Sequence, residues 1–360
     1  MDSTPPLVGD PEDVTPEWLT QVLRHSGTID AGTSVTGFDA TAIGTGQVGA
    51  NMRYVLQYDG NGDGPATIVC KFASRDPQSA STGVQTLTYE TEVAFYRDLA
   101  PTVQISRPFC HLAALEHGTA NVVLVMEDLA PAEQGDQIAG CTVEQATIAV
   151  DEAAKLHGPR WGDPSLKELA WLDRTGQQGG IAMMLGMIFE SFVERYEATL
   201  HDVTVDAGNR LISTIDDLRA HEPSALTPIH YDYRLDNMLF GHPDRPLVVV
   251  DWQTVQLGVG PSDVAYFLGN AFEPEVRRSC EESLVKRYHD ALLGYGVQGY
   301  SLEHCWDDYR RSAYASLVMA IFASMMVGRT DRGDAMFMAM ANRSAQMAVD
   351  LDTHALISKP

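Results

Sequence analysis

The distribution of apolar positions changes character about one third of the way along the chain. In the first third, short stretches alternate between apolar and polar residues and are separated by glycine-rich turns, a pattern typical of strands. Three strands are predicted in this way, at residues 35–43, 53–58 and 67–72. An unbroken apolar run predicts a fourth strand at 122–126, and a helix is predicted at 84–99, where Pro101 stops it.

Helical periodicity dominates after Leu129. Thr142, followed by Gln145 three residues later, has the signature of a capping box, and the helix that it opens is predicted to end at His157. Further helices are predicted at 181–200, 207–220, 275–294, 302–326 and 333–351, with one clear strand at 247–250. The pattern therefore predicts an α+β fold in two lobes, with a seam near residues 127–135 and a polar, mobile leader at 1–13.

Composition and charge exclude several classes of function. The chain has 360 residues, with 25 Lys and Arg against 49 Asp and Glu, which gives a formal net charge of −24. Such an acidic protein lacks the basic residues that bind nucleic acids and anionic membrane surfaces, so neither is expected as a partner. No secretory signal is recognised in the first residues, and the most apolar run, 317–327, is too short for a membrane span. The five cysteines form no C-x-x-C pair, so we expect reduced thiols in a cytoplasmic protein.

The strongest chemical signal is a group of polar residues around the strand 247–250. His230, Asp232 and Asn237 form the pattern H-x-D-x-x-x-x-N, and Asp251 follows 14 residues after Asn237, at the end of that strand. Phosphoryl transfer needs one carboxylate to orient the attacking hydroxyl and accept its proton, and an amide and a second carboxylate to hold Mg²⁺ on the ATP phosphates. Taken alone, the same residues could be loop acids and a capping asparagine of a very acidic chain.

A glycine-rich segment upstream strengthens this interpretation. Gly44, Gly46 and Gly49 form a G-x-G-x-x-G pattern, which indicates dinucleotide binding when a helix follows it. Here the following residues are predicted to form a strand instead. A glycine loop between two strands is typical of the loop that covers the phosphates in a kinase, and the lack of a following helix argues against a dinucleotide-dependent oxidoreductase.

Lys71 lies within an apolar predicted strand, where an unpaired charge is costly, so we expect it to have an anionic partner. The candidates are Glu92 and Glu90, both in the helix predicted at 84–99. Glu92 is favoured because it directly precedes the apolar face of that helix. The alternative is a lysine on an edge strand that points to solvent.

In these motifs the sequence resembles the aminoglycoside phosphotransferase and choline kinase-like small-molecule kinases, particularly their ecdysteroid kinase-like branch. The segments that carry the likeness are 92–96, 230–237, 251–253 and 260–268. The resemblance implies a bilobal protein-kinase-like fold with ATP and Mg²⁺ as cofactors. It implies a nucleotide-binding lobe at 14–128, a hinge near 127–131, and a helical lobe at 132–360 that carries the catalytic loop and the substrate site.

The resemblance also implies roles for the residues of the motifs. Asp232 would be the catalytic base, and Asn237 and Asp251 would hold Mg²⁺. Lys71 would contact the nucleotide phosphates, under the glycine loop, and Glu92 would hold Lys71 in place.

Four further residues have expected supporting roles. The backbone from Glu127 to Leu129 would meet adenine at the hinge, by the same resemblance. His230 is expected to be a structural hydrogen-bonding residue, because Asp232 already supplies the base. Asp263 stands where a helix begins and is expected to cap that helix or to brace the catalytic loop.

The chain departs from the pattern of the resembling family within the catalytic loop. Tyr231 stands where many relatives have glycine, and Arg234 and Asp236 replace a histidine or proline that usually precedes the asparagine. By the resemblance, these positions belong to the part of the catalytic loop that faces the substrate, and not to the metal site. Arg234 is expected to pair with an acid, with binding of an anionic substrate as the alternative. The absence of D-F-G and A-P-E segments argues against a protein kinase.

The sequence leads to a phosphotransferase that acts on a hydroxyl of a small molecule, and it leaves the acceptor open. Methionines are frequent in the helical lobe and could form an adaptable pocket for an apolar, steroid-like or macrolide-like alcohol, although core filling is their default role. An aminoglycoside or a choline-like cation would suit the acidic chain better. A catalytically inactive kinase-like module that binds nucleotide is the alternative of another class. The oligomeric state is not indicated.

Overall fold

The structure is a computed structural model that describes residues 4–44, 49–59 and 63–358, of which 175–183 and 219 are described by their backbone alone. The chain divides into two compact units. Unit 1 comprises Met1–Pro101, Arg107–Pro131 and Val250–Thr254. Unit 2 comprises Thr102–Ser106, Ala132–Val249 and Val255–Pro360. The short segment that carries Asp251 therefore belongs to unit 1, although the residues on both sides of it belong to unit 2.

Unit 1 contains a five-stranded antiparallel sheet and three helices. Its elements are α1 Pro16–His25, β1 Val35–Ile43, β2 Gly49–Tyr58, β3 Thr67–Ala73, α2 Pro77–Gln85, α3 Thr88–Ala94, β4 Cys110–Leu115 and β5 Val122–Glu127. The strand order is β1-β2-β3-β5-β4, so β3 lies inside the sheet between β2 and β5. The apolar face of α1 packs on the sheet and forms a buried core that includes Leu19, Val22, Tyr54, Ile68 and Phe72.

Several predictions for unit 1 need correction. The helix predicted at 84–99 is instead α2, α3 and a π-helical turn at Phe95–Leu99, because Leu87 has a left-handed φ of 57° that interrupts it. The strand predicted at 53–58 begins earlier, at Gly49, and β4 is not among the predicted strands. Within the stretch predicted as a mobile leader, Leu7 and Val8 pack against the core.

Unit 2 is mainly helical. Its helices are α4 Val143–His157, α5 Thr175–Tyr196, α6 Asp202–Ala220, α7 Pro261–Ala271, α8 Pro274–Gly294, α9 Leu302–Arg311, α10 Ala315–Met326, α11 Asp331–Asp350 and α12 Thr353–Ile357. Its strands are β6 Glu133–Gln134, β7 Thr227–Ile229, β8 Met238–His242, β9 Arg245–Val249 and β10 Gln256–Gly258. They form a three-stranded sheet, β6-β8-β9, and a two-stranded sheet, β10-β7.

Helix α7 lies at the centre of unit 2. Ten of its eleven residues are buried, and it packs against α4, α8, α9, α10 and α11. The predicted capping box at the start of α4 is confirmed, since the Thr142 and Gln145 side chains each accept a hydrogen bond from the other's backbone N–H. A central helix buried on all sides can hold a polar side chain at a fixed position relative to the elements around it.

The predicted fold class is confirmed, because a β-rich N-terminal part precedes a mainly helical C-terminal part. The expectation of a single strand in the helical part is wrong, since β6, β7, β8 and β10 accompany β9. Each of these strands has two to five residues, too few for alternation to be recognised in the sequence. The helix predicted at 302–326 is divided into α9 and α10 by a 3-10 turn at Ser312–Tyr314.

All five cysteines are free thiols, and Cys70, Cys280 and Cys305 are buried. Within the described part of the chain, none of the helices combines the length and the apolar character that crossing a membrane requires.

Two glycines of unit 2 provide a test of backbone packing around α7. Gly140 and Gly241 both have positive φ, 80° and 82°. A Cβ atom at Gly140 would lie 2.7 Å from the carbonyl oxygen of Ala271, whereas one at Gly241 would have no neighbour within 4 Å. We expect Gly140→Ala to lower the free energy of unfolding by about 2–5 kcal/mol, from left-handed strain and overpacking together. Gly241→Ala should cost about 1–2 kcal/mol, from strain alone. Urea denaturation measures both, and equal losses would contradict the packing described here.

Candidate active site

The glycine-rich segment connects two antiparallel strands, since β1 ends at Ile43 and β2 begins at Gly49. Gly44 has a φ of 73°, and Gly46 lies outside the described residues. A Cβ atom at Gly49 would lie 3.2 Å from Lys71 Cε and 3.2 Å from the carbonyl oxygen of Phe72. Glycine at 49 therefore leaves space for the Lys71 side chain to lie against β2. The strand after the loop is as predicted and does not match the strand–loop–helix of a dinucleotide site.

Lys71 lies on the inner strand β3 and is held by two carboxylates. Its Nζ lies 2.7 Å from Glu92 Oε2 on α3 and 2.8 Å from Asp251 Oδ1. The Lys71 side chain is 16% exposed and that of Glu92 is 5% exposed. Glu90 instead accepts a hydrogen bond from Gly118 N at 3.2 Å. The predicted pairing of Lys71 with Glu92 is confirmed as a contact, and Asp251 is a second partner.

Charge and backbone geometry define this first cluster. Burial by itself would lower the pKa of Lys71, but the carboxylates of Asp251 and Glu92 outweigh it and hold the pKa above its ordinary value. Lys71 is therefore an ammonium at neutral pH. Asp251 has a φ of 67°, and Gln253 Nε2 donates a hydrogen bond to its Oδ2 at 3.1 Å. The neighbouring Trp252 is fully buried and stacks on Phe95 with 4.0 Å between the rings, which anchors the segment.

The second cluster lies in unit 2, on the loop between β7 and β8. Asp263, near the start of α7, accepts hydrogen bonds from the backbone N–H of His230 at 2.6 Å and of Tyr231 at 2.9 Å. Its Oδ2 also lies 3.2 Å from His157 Nε2, and His157 Nδ1 lies 2.7 Å from the Tyr288 hydroxyl. Asp263 is 1% exposed. The buried carboxylate therefore braces the loop, which is the second of the two roles expected for it.

Tyr231 has a φ of 69°, in the left-handed region that favours glycine. This conformation gives a physical reason why glycine is common at this position in the resembling family. A non-glycine residue there carries a strain of about 1–2 kcal/mol. The described residues include four non-glycine residues with positive φ, and two of them are Tyr231 and Asp251, one in each cluster. Strained backbone of this kind is often retained at functional sites.

The carboxylate of Asp232 accepts hydrogen bonds from three side chains. Arg234 Nε lies 3.0 Å from Oδ1 and 3.1 Å from Oδ2, and the Tyr266 hydroxyl lies 2.8 Å from Oδ1. Asn237 Nδ2 donates to Oδ2 at 3.0 Å and to the backbone oxygen of Asp232 at 2.9 Å. The Asp232 N–H donates to His230 Nδ1 at 3.3 Å, which agrees with a structural role for that histidine. The loop thus brings His230, Asp232 and Asn237 together.

These contacts set the ionisation of Asp232. Burial alone would raise its pKa, but the Arg234 guanidinium and the hydrogen bond from Tyr266 outweigh burial and hold the pKa below its ordinary value. Asp232 is therefore a carboxylate at neutral pH. Arg234 pairs with two acids, Asp232 and Asp236, so the expected pairing with an acid is found.

Each cluster contains a side chain, Asn237 in unit 2 and Asp251 in unit 1, with the donor chemistry of a magnesium ligand. No group of three or more His, Cys, Asp or Glu side chains is arranged to hold a metal within the described ranges. Magnesium at a phosphoryl-transfer site needs only one or two protein ligands, because phosphate oxygens and water supply the rest. Both hydrogen bonds of the Asn237 amide use its nitrogen, and Asp251 provides carboxylate oxygens. Amide and carboxylate oxygens are hard ligands of the kind that Mg²⁺ prefers.

The backbone after β5 is partly committed to the sheet. Glu127 N donates to the carbonyl oxygen of Phe109 at 2.9 Å, and Glu127 Oε1 accepts from Phe109 N at 2.8 Å. Leu129 is buried, at 7% exposure. If adenine binds to this segment, it has to use backbone groups beyond the Glu127 N–H, toward Leu129.

Three residues that support the catalytic loop are not identified by the sequence. Tyr266 lies one helical turn after Asp263, and this i, i+3 spacing is a signal that could have placed it beside the loop. His157 is fully buried, and its Nε2 lies 3.2 Å from Asp263 Oδ2, a contact that no pattern in the sequence indicates. Arg332, whose Nη2 lies 3.1 Å from Asp236 Oδ1, has no local signal at all.

The chain is similar to a known protein family and to several solved structures. The model of the phosphotransferase enzyme family, APH, matches residues 48–300. A protein from Ralstonia eutropha JMP134, provisionally assigned as an aminoglycoside phosphotransferase, is 17% identical with a TM-score of 0.53, covering 92% of this chain and 97% of that one. The GDP complex of aminoglycoside 2'-phosphotransferase-IIIa is 13% identical with a TM-score of 0.50, covering 86% and 94%. The ethanolamine kinase of Plasmodium vivax is 10% identical with a TM-score of 0.51, covering 90% and 86%. No curated protein sequence matches the chain. At these identities the structural likeness shows the fold.

The bracing contact of Asp263 can be tested by its contribution to stability. In Asp263→Asn, an amide group replaces the carboxylate. Because the amide nitrogen cannot accept a hydrogen bond, one of the two backbone N–H groups, or His157, must lose its acceptor. We expect the free energy of unfolding to fall by about 2–4 kcal/mol, because buried donors would be left without partners. Asp206→Asn is the control, since Asp206 is 56% exposed and pairs with Arg210 on the same helix, and it should cost below about 1 kcal/mol. Similar losses in urea denaturation for the two variants would refute the brace.

Proposed function

This chain belongs to the phosphotransferase enzyme family, and we propose that it is an ATP- and Mg²⁺-dependent kinase that transfers the γ-phosphate to a hydroxyl group of a small molecule. The observation that carries the proposal is the direct hydrogen bond between Asn237 and the partly buried carboxylate of Asp232. It places, on one loop, a carboxylate for the acceptor hydroxyl and an amide that can serve as a metal ligand. Phosphoryl transfer needs both groups.

Asp232 is the catalytic base in this proposal. Its carboxylate accepts a hydrogen bond from the acceptor hydroxyl and takes the proton as the bond between that oxygen and the γ-phosphorus forms. The bond from the γ-phosphorus to the terminal oxygen of ADP breaks in the same step. A carboxylate with a lowered pKa is a weak base, so its main contribution is to orient the hydroxyl. This suits a loose transition state, in which positioning matters more than proton removal.

Lys71 contacts the nucleotide phosphates in this proposal, and Glu92 holds it in place. The ion pair at 2.7 Å fixes a permanent positive charge next to Gly49, at the end of the glycine loop. Gly44, Gly46 and Gly49 allow the loop backbone to approach the phosphates. The backbone from Glu127 to Leu129 binds adenine.

Asn237 and Asp251 are the proposed ligands of Mg²⁺. Magnesium supplies positive charge that neutralises the phosphate oxygens during the transfer. His230 and Asp263 act as supports: His230 receives the Asp232 N–H, and Asp263 holds the backbone of the loop.

The proposed acceptor is an apolar hydroxylated molecule, steroid-like or macrolide-like. We also propose that the chain belongs to the ecdysteroid kinase-like branch of the family. Helices α5 and α10 pack against each other and leave methionine side chains open to solvent: Met187 is 75% exposed and Met326 is 67% exposed. Exposed methionines provide an adaptable apolar surface. The methionines of α11 support core filling, the default role, because Met336, Met338 and Met340 are buried.

Two alternatives make different predictions. An aminoglycoside or choline-like acceptor is favoured by the net charge of −24, which attracts cations. A catalytically inactive nucleotide-binding module would keep ATP binding without turnover. The presence of Lys71, Asp232, Asn237 and Asp251 argues against inactivity.

The catalytic assignment is tested by Asp232→Asn. We expect the release of ADP from Mg-ATP, in the presence of an accepted alcohol, to fall by about 10²–10⁴-fold, because the hydroxyl loses its base and its orienting partner. Asp206→Asn should retain full turnover. Stabilisation of the variant by Mg-ATP in a thermal shift assay controls for folding, and is expected at about 2.7 kcal/mol when the nucleotide is at 100 times its Kd. Full turnover by Asp232→Asn would contradict the role, and no stabilisation of the unaltered protein by Mg-ATP would end the kinase hypothesis.

The acceptor class is tested with a panel of sterols, macrolides, aminoglycosides and choline-like amines. We expect turnover with an apolar alcohol, and we expect Met187→Glu to raise its KM by about tenfold, because a carboxylate disfavours apolar contact. Val276→Glu is a matched control on α8, where Val276 is 42% exposed. Turnover of cationic acceptors alone, unaffected by Met187→Glu, would contradict the apolar acceptor and leave the kinase assignment standing.

A further inference from the structure

Asp236 is a second buried carboxylate of the catalytic loop, and it lies between two guanidinium groups. Arg234 Nη1 donates to its Oδ2 at 2.9 Å. Arg332 makes a two-point contact from the other side, with Nη1 3.1 Å from Oδ2 and Nη2 3.1 Å from Oδ1. Gln137 N donates to Oδ1 at 3.0 Å. Asp236 is only 7% exposed and Arg234 is 17% exposed, so solvent screens the contact between these two side chains weakly.

Arg234 connects this carboxylate to Asp232. Its Nε contacts both oxygens of Asp232, while its Nη1 contacts Asp236 and lies 3.2 Å from Met336 Sδ. A guanidinium is planar and its donors form a rigid fork. Any shift of Asp236 that moves one end of this fork therefore moves the end that holds Asp232.

Arg332 is the outer end of the series. It is the second residue of α11, whose start is capped by Thr330 through a hydrogen bond from Gly333 N at 3.0 Å. Its side chain is 56% exposed, whereas Asp232, Arg234 and Asp236 are 15%, 17% and 7% exposed. Charges alternate along the series Asp232, Arg234, Asp236, Arg332, and all four residues belong to unit 2.

We propose that Arg332 is a positioning residue of the phosphotransferase reaction: through Asp236 and Arg234 it fixes the carboxylate of Asp232 and couples the start of α11 to the catalytic loop. The proposal rests on the proposed function, since it takes Asp232 as the base. A half-exposed arginine contributes little to stability, so the effect is on geometry. A displacement of about 1 Å at a reacting group can reduce the rate by about 100-fold, so a weak contact can still control turnover.

The kinetic test compares three variants. Arg332→Gln should lower kcat by about 5- to 30-fold and leave the KM for ATP within about twofold, because the variant misplaces Asp232 without touching the nucleotide. Arg332→Lys, which keeps the charge near Asp236, should recover part of the loss. Arg329→Gln is the matched control: Arg329 is 59% exposed, precedes the same helix, and pairs with Asp334 instead. It should leave kcat unchanged.

A spectroscopic test does not depend on turnover. The Nε–H of Arg234 is bonded to both oxygens of a carboxylate that is 15% exposed, so it should give a slowly exchanging ¹H–¹⁵N resonance, identified by its loss in Arg234→Lys. Arg332→Gln should shift this resonance or speed its exchange by about fivefold or more, and Arg329→Gln should not. Equal thermal unfolding temperatures for the two glutamine variants exclude a general loss of folding.

The two readouts separate the coupling from the function on which it rests. If the protein turns over no acceptor but Arg332→Gln perturbs the Arg234 resonance, the proposed function fails and the coupling to Asp232 stands. If kcat and the resonance are both unchanged in Arg332→Gln, or if the resonance moves while kcat does not, the positioning role is overturned. A rapidly exchanging Arg234 Nε–H in the unaltered protein would overturn it as well.

Discussion

The loop that carries Asp232 depends on one buried carboxylate, Asp263. Two consecutive backbone N–H groups, of His230 and Tyr231, are directed at this side chain, and no water-exposed surface lies around it, since Asp263 is 1% exposed. Charge-assisted hydrogen bonds contribute about 1.5–3 kcal/mol each, which offsets the strain of about 1–2 kcal/mol at Tyr231. The left-handed conformation of Tyr231 therefore depends on the Asp263 carboxylate, which accepts the hydrogen bond of its N–H. Without the acceptor, the two backbone N–H groups of the turn that places Asp232 beside Asn237 would lose their partner.

The distribution of charge has a consequence for the nucleotide. In unit 1, Lys71 carries one positive charge between two carboxylates, Glu92 and Asp251, and in unit 2 Arg234 stands likewise between Asp232 and Asp236. In unit 2, however, Arg332 adds a second guanidinium beside Asp236, so two positive charges face two carboxylates there, whereas the Lys71 group of unit 1 has one positive charge for two carboxylates. A polyphosphate anion meets repulsion from such a group unless a cation accompanies it. The proposed need for a divalent metal is therefore supported by the composition of the Lys71 group by itself.

Sequence reasoning succeeded where the determining information is local. The contact between Lys71 and Glu92 could be predicted, because an apolar strand isolates the lysine and Glu92 directly precedes the apolar face of the predicted helix. The hydrogen bond between Asp232 and Asn237 joins residues five positions apart. The α+β class follows from periodicities that extend over whole lobes. The catalytic, nucleotide and metal roles of these residues are of a different kind, because they rest on chemistry and resemblance and stay proposals.

The features that the sequence did not reveal are elements too short to show periodicity and contacts between residues that are far apart in the chain. The strands β6, β7 and β10 have two or three residues, and no periodicity can be recognised in them. The break at Leu87 is a left-handed φ of 57° that no residue pattern around it indicates. The left-handed Tyr231 is held by a tertiary contact, the hydrogen bond from its N–H to Asp263. Arg234 and Asp236 illustrate the same limit in side chains. Arg234 is 17% exposed and Asp236 is 7% exposed, and the cost of leaving a largely desolvated charge unpaired required partners for each. The need for a cation beside Asp236 could be inferred from the loop, but nothing local identified Arg332 as the residue that meets it.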